Sequence, residues 1–521
     1  MPGARAPDGI AVVDLGSNSF HLMTARLVDG EPIVVDRLRE PVQLAAGLDE
    51  RRRLEPDVVE RALACLRRFG QRLRETPNYR VRAVGTNTFR VARDAGEFIE
   101  RAEAALGHPI DVVSGTEEAR LIFLGVSHTL PDDGKSRIVA DIGGGSTECI
   151  LGRGFEILDA HSLHMGCIGF SQRFFPDGQI ERKAMDAALL AARLELRPLE
   201  HRFKQIGWDH AVGSSGTVRT ARDVLVAEGL SERGVTARGL RGLRKKMCDA
   251  GHLDACNFVG VRRDRAAVFP GGVAILSAIL DTFQLERLDF STGSLREGVA
   301  YDLLGRIRHE DIRERTIRIF QERYHVDVSQ ASRVERVADR LWRAVKTEWQ
   351  LDDDEMHSWL RWAARLHEIG LAVSYRNHHH HGRYLIENSD MPGFARNDQR
   401  VLAALVGLHR RRVRTETMDL VPPMLQGPVR GLVAVLRLAV VLNRGRAPQA
   451  PWPSEIEVDR ERLTLRFGST FVREHPLTIA DLNAESEAFK VLGYKLRLKE
   501  VSSRLASGDE WAPPAPKGLR R

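Results

Sequence analysis

Carboxylates, glycines and hydroxyls follow one another in Asp141-Ile142-Gly143-Gly144-Gly145-Ser146-Thr147-Glu148, an order that suits a phosphate group accompanied by a divalent cation. The apolar run Ile138-Val139-Ala140 puts Asp141 at the end of a buried strand. Three glycines then predict a turn with positive φ and a close approach to a ligand. Bare amides around such a turn form an anion-binding concavity, to which Ser146 and Thr147 add hydroxyl donors. Asp141 and Glu148 bracket it with hard oxygen ligands suited to hydrated Mg²⁺. A glycine triplet alone is an ordinary hairpin turn. Here a second copy exists: Val12-Val13-Asp14-Leu15-Gly16-Ser17-Asn18-Ser19-Phe20 repeats the strand, the Asp-apolar-Gly step and the hydroxyl-rich turn.

Four further stretches carry matching chemistry. A strand over 80–84 runs into Gly85-Thr86-Asn87-Thr88-Phe89-Arg90, which places Arg90 where open α/β folds bind ligands and makes it a candidate phosphate clamp. In Ser114-Gly115-Thr116-Glu117-Glu118, Ser114 and Glu117 have the spacing of a capping box, which gives Glu117 a structural task. Glu118 lies about 100° further round the helix, is not needed by the cap, and is the candidate general base. Gly213-Ser214-Ser215-Gly216-Thr217 and Ser291-Thr292-Gly293-Ser294 are small-residue turns between a strand and a helix, where amide donors meet phosphates.

The elements that must position these groups follow from periodicity. Strands are predicted over 22–27 and 33–37, then a helix with Val59, Leu63, Leu66 and Leu73 on one face. After the second phosphate turn come strands over 149–152 and 155–160. A long helix follows, with Met185, Leu189, Ala192, Leu196, Leu199, Phe203 and Ile206 at helical spacing and a kink expected at Pro198. The second segment thus repeats the order of the first. Beyond about residue 309 the pattern becomes helical, with Val334, Val337, Leu341 and Val345 on one face, and a Pro-rich stretch at 447–453 marks a boundary. A short hairpin, Ile456 to Val458 with Leu463 to Phe467, a helix over 479–492 and a disordered tail over 511–521 complete the expectation.

A chain of 521 residues divides into several domains. With 43% hydrophobic and 29% charged residues it reads as an ordinary globular protein, with no secretory signal at its N-terminus. The longest apolar run, Gly431 to Leu442, is too short to span a bilayer and contains Arg437. Five cysteines without C-x-x-C spacing argue against a disulfide framework or a zinc site. The net charge of +7, with clusters at 51–53, 244–246 and 410–412, favours a polyanionic partner.

The segments DLGSNSFHL, VGTNTFR, SGTEEARLIF, DIGGGSTE, VGSSGT and TGSLREGV, in this order, resemble the exopolyphosphatase/guanosine pentaphosphate phosphohydrolase (Ppx/GppA) family over nearly the whole chain. The resemblance implies two actin/Hsp70/sugar-kinase-type (ribonuclease-H-like) α/β domains over 1–124 and 125–308. A helical HD-like domain over 309–446 and a small α+β domain over 447–521 would follow. It implies Glu118 as the catalytic glutamate, and phosphate contacts at Ser17, Asn18, Ser19, Arg90, Gly143, Gly144, Gly145, Ser146 and Gly216. Asp141, Glu148 and Asp14 are implied for Mg²⁺, with K⁺ as an activator. The GTNT and DIGGGS forms favour inorganic polyphosphate, cleaved processively from its end, over guanosine-5'-triphosphate,3'-diphosphate (pppGpp), the alternative substrate that would tie the chain to the stringent response. Also implied are a homodimer without nucleic acid and a cytoplasmic location, with the inner face of the membrane left open. The HD-like segment carries His367-Glu368 where a functional metal pair would be His-Asp, which moves the carboxylate by a methylene and leaves metal binding there open; His378 to His381 and Arg410 to Arg412 are candidate polyphosphate contacts. A kinase-type or chaperone-type ATPase would share the two hairpins but bind adenine, and a sensor of polyphosphate or (p)ppGpp would have no use for Glu118.

Overall fold

The computed structural model describes residues 9–28, 31–131, 133–256, 258–307, 311–448 and 451–501. The expected tail over 511–521 lies outside them. The chain separates into two compact units, Met1–Thr316 with Asp390–Arg396, and Ile317–Ser389 with Asn397–Arg521.

The first unit is a duplicated α/β structure. Its first half runs β1 (Gly9–Leu15), β2 (Phe20–Val28), β3 (Glu31–Glu40), α1 (Pro56–Leu73), β4 (Val81–Gly85), α2 (Asn87–Val91), α3 (Ala95–Leu106), β5 (Ile110–Val112) and α4 (Gly115–Thr129). The second half runs β6 (Ser136–Ile142), β7 (Thr147–Arg153), β8 (Glu156–Leu163), α5 (Cys167–Phe174), α6 (Arg182–Ile206), β9 (His210–Ser214) and α7 (Ser215–Ala227). It continues through β10 (Val235–Thr236), α8 (Ala237–Ala250), α9 (Arg263–Ala266), α10 (Phe269–Thr282), β11 (Arg287–Phe290) and α11 (Leu295–Ile307).

The sheet orders β3-β2-β1-β4-β5 and β8-β7-β6-β9-β11-β10 show the repeat directly. In each half an antiparallel hairpin (β1 with β2, β6 with β7) is extended by a parallel strand (β4 beside β1, β9 beside β6). Strand β6 is buried along its whole length, Ser136, Arg137 and Asp141 included, which accounts for the apolar run Ile138-Val139-Ala140 at its centre.

Helices α4 and α11 occupy the same place in the two halves and share one core with Val12, Val84, Val139, Ile150 and Val212 from both central sheets. They cross at glycines. A Cβ on Gly298 would lie 1.7 Å from the Leu121 carbonyl oxygen, and one on Gly125 would lie 2.1 Å from that of Ser294. Only glycine permits backbones this close.

A buried ionic cluster fastens the same layer. Asp302 on α11 meets Arg82 of β4, Arg120 of α4 and, at 3.1 Å, Arg306. Ser114 caps α4 through the Glu117 amide (3.1 Å), as the spacing predicts, but Glu117 does not close the capping box. Its carboxylate instead accepts from Arg120 at 2.7 and 2.8 Å and from the Gly393 amide at 2.9 Å.

Helix α12 (Ile312–Arg323) leads into the second unit, which is helical through α13 (Val328–Val345), α14 (Asp354–Leu366), α15 (His378–Asn388), α16 (Arg396–Leu408), α17 (Thr415–Met418) and α18 (Pro423–Leu442). By length and composition α18 could cross a membrane, unlike the shorter run Gly431 to Leu442 considered alone, but 67% of its apolar window is buried within the protein. Arg437 in its middle donates to the Leu408 and Arg411 carbonyls and pairs with Glu485 at 2.6 Å, as a core helix requires. The unit closes with β12 (Glu455–Asp459), β13 (Arg462–Gly468), α19 (Ser469–Glu474), α20 (Pro476–Leu492) and β14 (Lys495–Val501). Strand β14 pairs parallel to β13 and adds a third strand to the expected hairpin.

Candidate active site

The two hairpin turns meet face to face. Asp14 near the end of β1 is paired with His21, and Asp141 near the end of β6 with Glu148, so the two aspartates hold equivalent positions. The first turn is tied down by Ala45 and Gln43 amides donating to the Ser17 and Asn18 carbonyls, both at 2.9 Å. Thr88 Oγ1 donates to Ser17 Oγ at 2.8 Å, and Arg39 to Ser19 Oγ at 3.0 Å. The second turn is closed by the Gly143 amide on the Ser146 carbonyl (2.9 Å), and the start of α5 donates to the carbonyls of Gly143 and Gly144 at 3.0 Å.

None of Gly143, Gly144 and Gly145 has a positive φ, contrary to expectation. The glycines answer to crowding instead. A Cβ on Gly144 would come 3.0 Å from Ser17 Cβ, and one on Gly145 would come 2.4 Å from Asn87 Oδ1, so the loops of the two halves touch where side chains would hold them apart. The strained backbone is elsewhere: Ser215, the first residue of α7, sits at φ 79° between β9 and the helix.

Glu118 lies in the first turn of α4, buried, with its carboxylate 2.8 Å from Arg90 Nη1. Arg90 is on the one-turn helix α2 rather than in an open turn, and the same nitrogen donates to the Val113 carbonyl at 3.0 Å. Glu148 accepts from Ser162 Oγ at 2.8 Å, and Asp141 accepts from Ser294 Oγ at 3.0 Å and from Ser214 Oγ. Of the expected residues, Ser17 to Ser19, Gly143 to Ser146, Asp14, Asp141, Glu148, Glu118 and Arg90 are gathered in this region. Gly216 lies beside it in α7, under the guanidinium of Arg265, which comes within 2.1 Å of the position a Cβ there would take.

Four carboxylates therefore share one enclosed volume, and each suffers for it. Burial lifts Asp14 to about 7 despite Arg296 at 4.0 Å, with Glu118, Asp141 and Glu297 adding to the rise. Burial also raises Glu118, which Arg90 opposes, and raises Asp141 against the hydrogen bonds of Ser214 and Ser294. Glu148 is pushed well above the usual range by burial and then by Glu118 and Asp141. Opposite them stand cations. Burial and the field of Arg296, Arg39, Arg265 and Arg219 hold His21 well below its ordinary value. Carboxylates set among guanidinium groups, Glu118 with Arg90 at 2.8 Å and Asp14 with Arg296 at 4.0 Å, suit a phosphate chain carrying a hard cation.

The elevated Asp14 gives a stability prediction. A carboxyl whose folded value is about 7, against 3.8 unfolded, holds its proton more tightly in the folded protein, so its contribution is lost as pH rises through that window. Asp14→Asn is expected to be more stable than the wild type at pH 8, by about 4 kcal/mol, with the advantage vanishing near pH 4. Urea denaturation in metal-free buffer at the two pH values measures it. A pH-independent difference would contradict the assignment.

Arg296, Arg265, Arg39, Ser214, Ser294 and Asn87 belong to this region but were not singled out from sequence as site residues. Arg296, Ser214, Ser294 and Asn87 lie within TGSLREGV, VGSSGT and VGTNTFR, where the small-residue turns are the signal; Arg39 on β3 and Arg265 on α9 stand in stretches with no local mark.

Among the described residues no three His, Cys, Asp or Glu side chains converge as a ready-made metal cage. The donor set fits Mg²⁺ all the same, since this ion is commonly held by one or two carboxylates together with substrate phosphates. Asn18 Oδ1 and Arg296 Nε, an acceptor and a donor both buried without partners, fit a site completed by a ligand.

A family model described as the Ppx/GppA phosphatase family matches residues 23–307, and one described as Ppx/GppA phosphatase, domain III, matches residues 312–486. A guanosine-5'-triphosphate,3'-diphosphate pyrophosphatase of Vibrio cholerae is 38% identical over 491 residues, covering 94% of this chain and 98% of that protein. One from Vibrio atlanticus is 37% identical over 504 residues, covering 96% and 100%. Among solved structures, an exopolyphosphatase from Cytophaga hutchinsonii superposes with a TM-score of 0.52 and 26% identity over 57% of this chain and 97% of that one.

Proposed function

Because the chain belongs to the Ppx/GppA phosphatase family, and is thus a phosphoanhydride hydrolase, we propose that it removes the terminal 5′ phosphate of guanosine-5'-triphosphate,3'-diphosphate as orthophosphate. The observation that carries the choice of substrate is similarity along nearly the full chain, 38% over 94% of its length, to a protein named for this nucleotide. The GTNT and DIGGGS forms had favoured the polymer; the full-length relatives move the weight to the nucleotide.

In this reading the terminal phosphoryl group lies between the two hairpin turns. Amides of Gly144 to Ser146 and the hydroxyls of Ser17 and Ser19 take its oxygens, and α7 presents its N-terminal amides near Gly216. Glu118 orients a water and accepts its proton as the oxygen attacks phosphorus in line with the leaving phosphate. Arg90 holds the Glu118 carboxylate in place at 2.8 Å and partly offsets the rise that burial causes. Arg296 and Arg265 face the charge that develops on the departing phosphates. Mg²⁺, held by Asp141, Glu148 and Asp14, would neutralise phosphate charge and offset the mutual repulsion of these carboxylates. The products are orthophosphate and the nucleotide shortened by one phosphate, with one water consumed.

Cleavage of inorganic polyphosphate is the second reading, favoured by the likeness of the fold to the Cytophaga hutchinsonii exopolyphosphatase. Orthophosphate release from the nucleotide and from long-chain polyphosphate, at equal concentrations of terminal phosphate and with Mg²⁺, separates the two. A kcat/KM at least tenfold higher for the nucleotide is expected; a preference of the same size for the polymer would reverse the assignment.

A further inference from the structure

The second unit holds a cavity of about 880 Å³ for which the proposed reaction has no use. Its histidines are oriented in one way. His367 follows α14, His378 opens α15 and His409 follows α16, with the His367 and His378 rings each 5.5 Å from that of His409. In all three, Nδ1 sits against the carbonyl three residues earlier: Ala364 at 2.7 Å, Tyr375 at 3.3 Å and Val406 at 2.6 Å. A carbonyl only accepts, so Nδ1 of His367 and of His409 carries the hydrogen and Nε2 is left to accept, whereas the His378 ring already accepts from Arg410 at 3.1 Å. His409 is 1% exposed, lines the cavity, and its Nε2 has no partner. Glu368 behaves alike: Oε1 is held by Arg446, whereas Oε2 is buried and unpartnered. Burial and neighbouring cations lower His367 and His378 to about 4, and His409 well below its ordinary value, so these rings remain acceptors at neutral pH.

The same cavity is lined by cations. Arg410 lies 3.1 Å from the ring nitrogens of His378, and Arg411 and Arg412 are exposed beside it. Tyr375 and Leu371 add a flat ring and an apolar side chain. Buried acceptors without donors, next to guanidinium groups, require a ligand with N–H groups at one end and negative charge at the other. Guanine offers two adjacent donors, N1–H and the N2 amino group, where adenine sets a lone pair beside its amino group and would face the Glu368 carboxylate with repulsion.

We propose that this cavity is a guanine-nucleotide site, with the base donating to Glu368 and His409 and the phosphates held by Arg410 to Arg412. It shares no residue with the catalytic region, and it stands whichever substrate the catalytic region prefers.

Hydrogen–deuterium exchange of the full chain tests it with three probes, GDP, ADP and sodium tripolyphosphate, each without added metal. GDP is expected to slow exchange at least fivefold in the segments 364–378 and 406–413. ADP and tripolyphosphate are expected to need at least tenfold higher concentration for the same protection. Arg411→Ser/Arg412→Ser, altered only at exposed positions, and Glu368→Gln should each weaken the GDP effect about tenfold. No protection by GDP, or equal protection by ADP, would overturn the proposal. Equal protection by tripolyphosphate would reduce the cavity to a phosphate site and overturn it as well. Should Glu368→Gln fail to fold, the arginine pair still decides, because unchanged GDP protection in that variant refutes the assignment.

Discussion

Glu118→Gln is expected to lower kcat for orthophosphate release about a thousandfold while leaving nucleotide affinity within a factor of about three, as loss of a positioned general base does. The glutamine keeps the shape of the side chain and still accepts from Arg90, which now holds the carboxylate at 2.8 Å. It cannot take a proton from water. The wild-type profile of kcat/KM against pH should rise along an acid limb set above the usual glutamate value, because burial raises Glu118 more than Arg90 lowers it. In the variant that limb should disappear from the residual rate. Single-turnover phosphate release and equilibrium binding, measured on the same preparations, separate the two effects. A variant that kept a tenth or more of the wild-type kcat would remove Glu118 from the role of base.

Asp302→Ala is expected to cost about 3–5 kcal/mol of stability, the usual penalty for stripping one partner from a buried ion cluster. Burial alone would raise the Asp302 carboxyl, but Arg120, Arg82 and Arg306 together hold it well below the ordinary carboxylate range. A depressed folded value means stability that is present above the unfolded value near 4 and lost only in strong acid. The penalty should therefore be constant from pH 5 to pH 8 in urea denaturation. Replacing Asp302 with alanine leaves Arg82, which is 3% exposed, without its nearest counter-charge, and frees Arg120 to move off Glu117 in the turn that carries Glu118. A loss below about 1 kcal/mol would show that the three guanidinium groups find other partners.

The parts of this architecture that local chemistry dictates could be read from the chain. Strand, glycine turn and hydroxyls lie next to one another in sequence, and so the duplication and both phosphate hairpins were visible, as was the cap on α4. Contacts made by distant residues were not. Nothing near Arg39 points to Ser19, nothing near Arg265 points to Gly216, and Arg296 reaches Asp14 only because β1 and α11 come together in the fold. Glu117 illustrates the limit well. Its spacing from Ser114 described a local partner, but Arg120 and the Gly393 amide, the latter 276 residues away, compete for the same oxygens and win. The glycine triplet was located correctly but for the wrong cause, since contact between the loops, rather than a left-handed backbone, excludes side chains there. Strand β14 carries its signal in only two alternating leucines, Leu496 and Leu498, before Lys499-Glu500 breaks the period, and its parallel partner β13 lies about thirty residues earlier in the chain.

The crossing of α4 and α11 has a mechanical meaning. Where Gly125 and Gly298 bring two backbones together, the shared apolar core and the Arg120–Asp302 ion pair hold the two helices against each other. The crossing acts as a rivet between the two halves. Glu118 lies two helical turns from Gly125 on one arm, and Ser294 and Arg296 stand at the head of the other. A contact this close fixes the spacing of Glu118 from Ser294 and Arg296, so the base on one half and the phosphate-facing groups on the other are held to one distance by a point with no side chains.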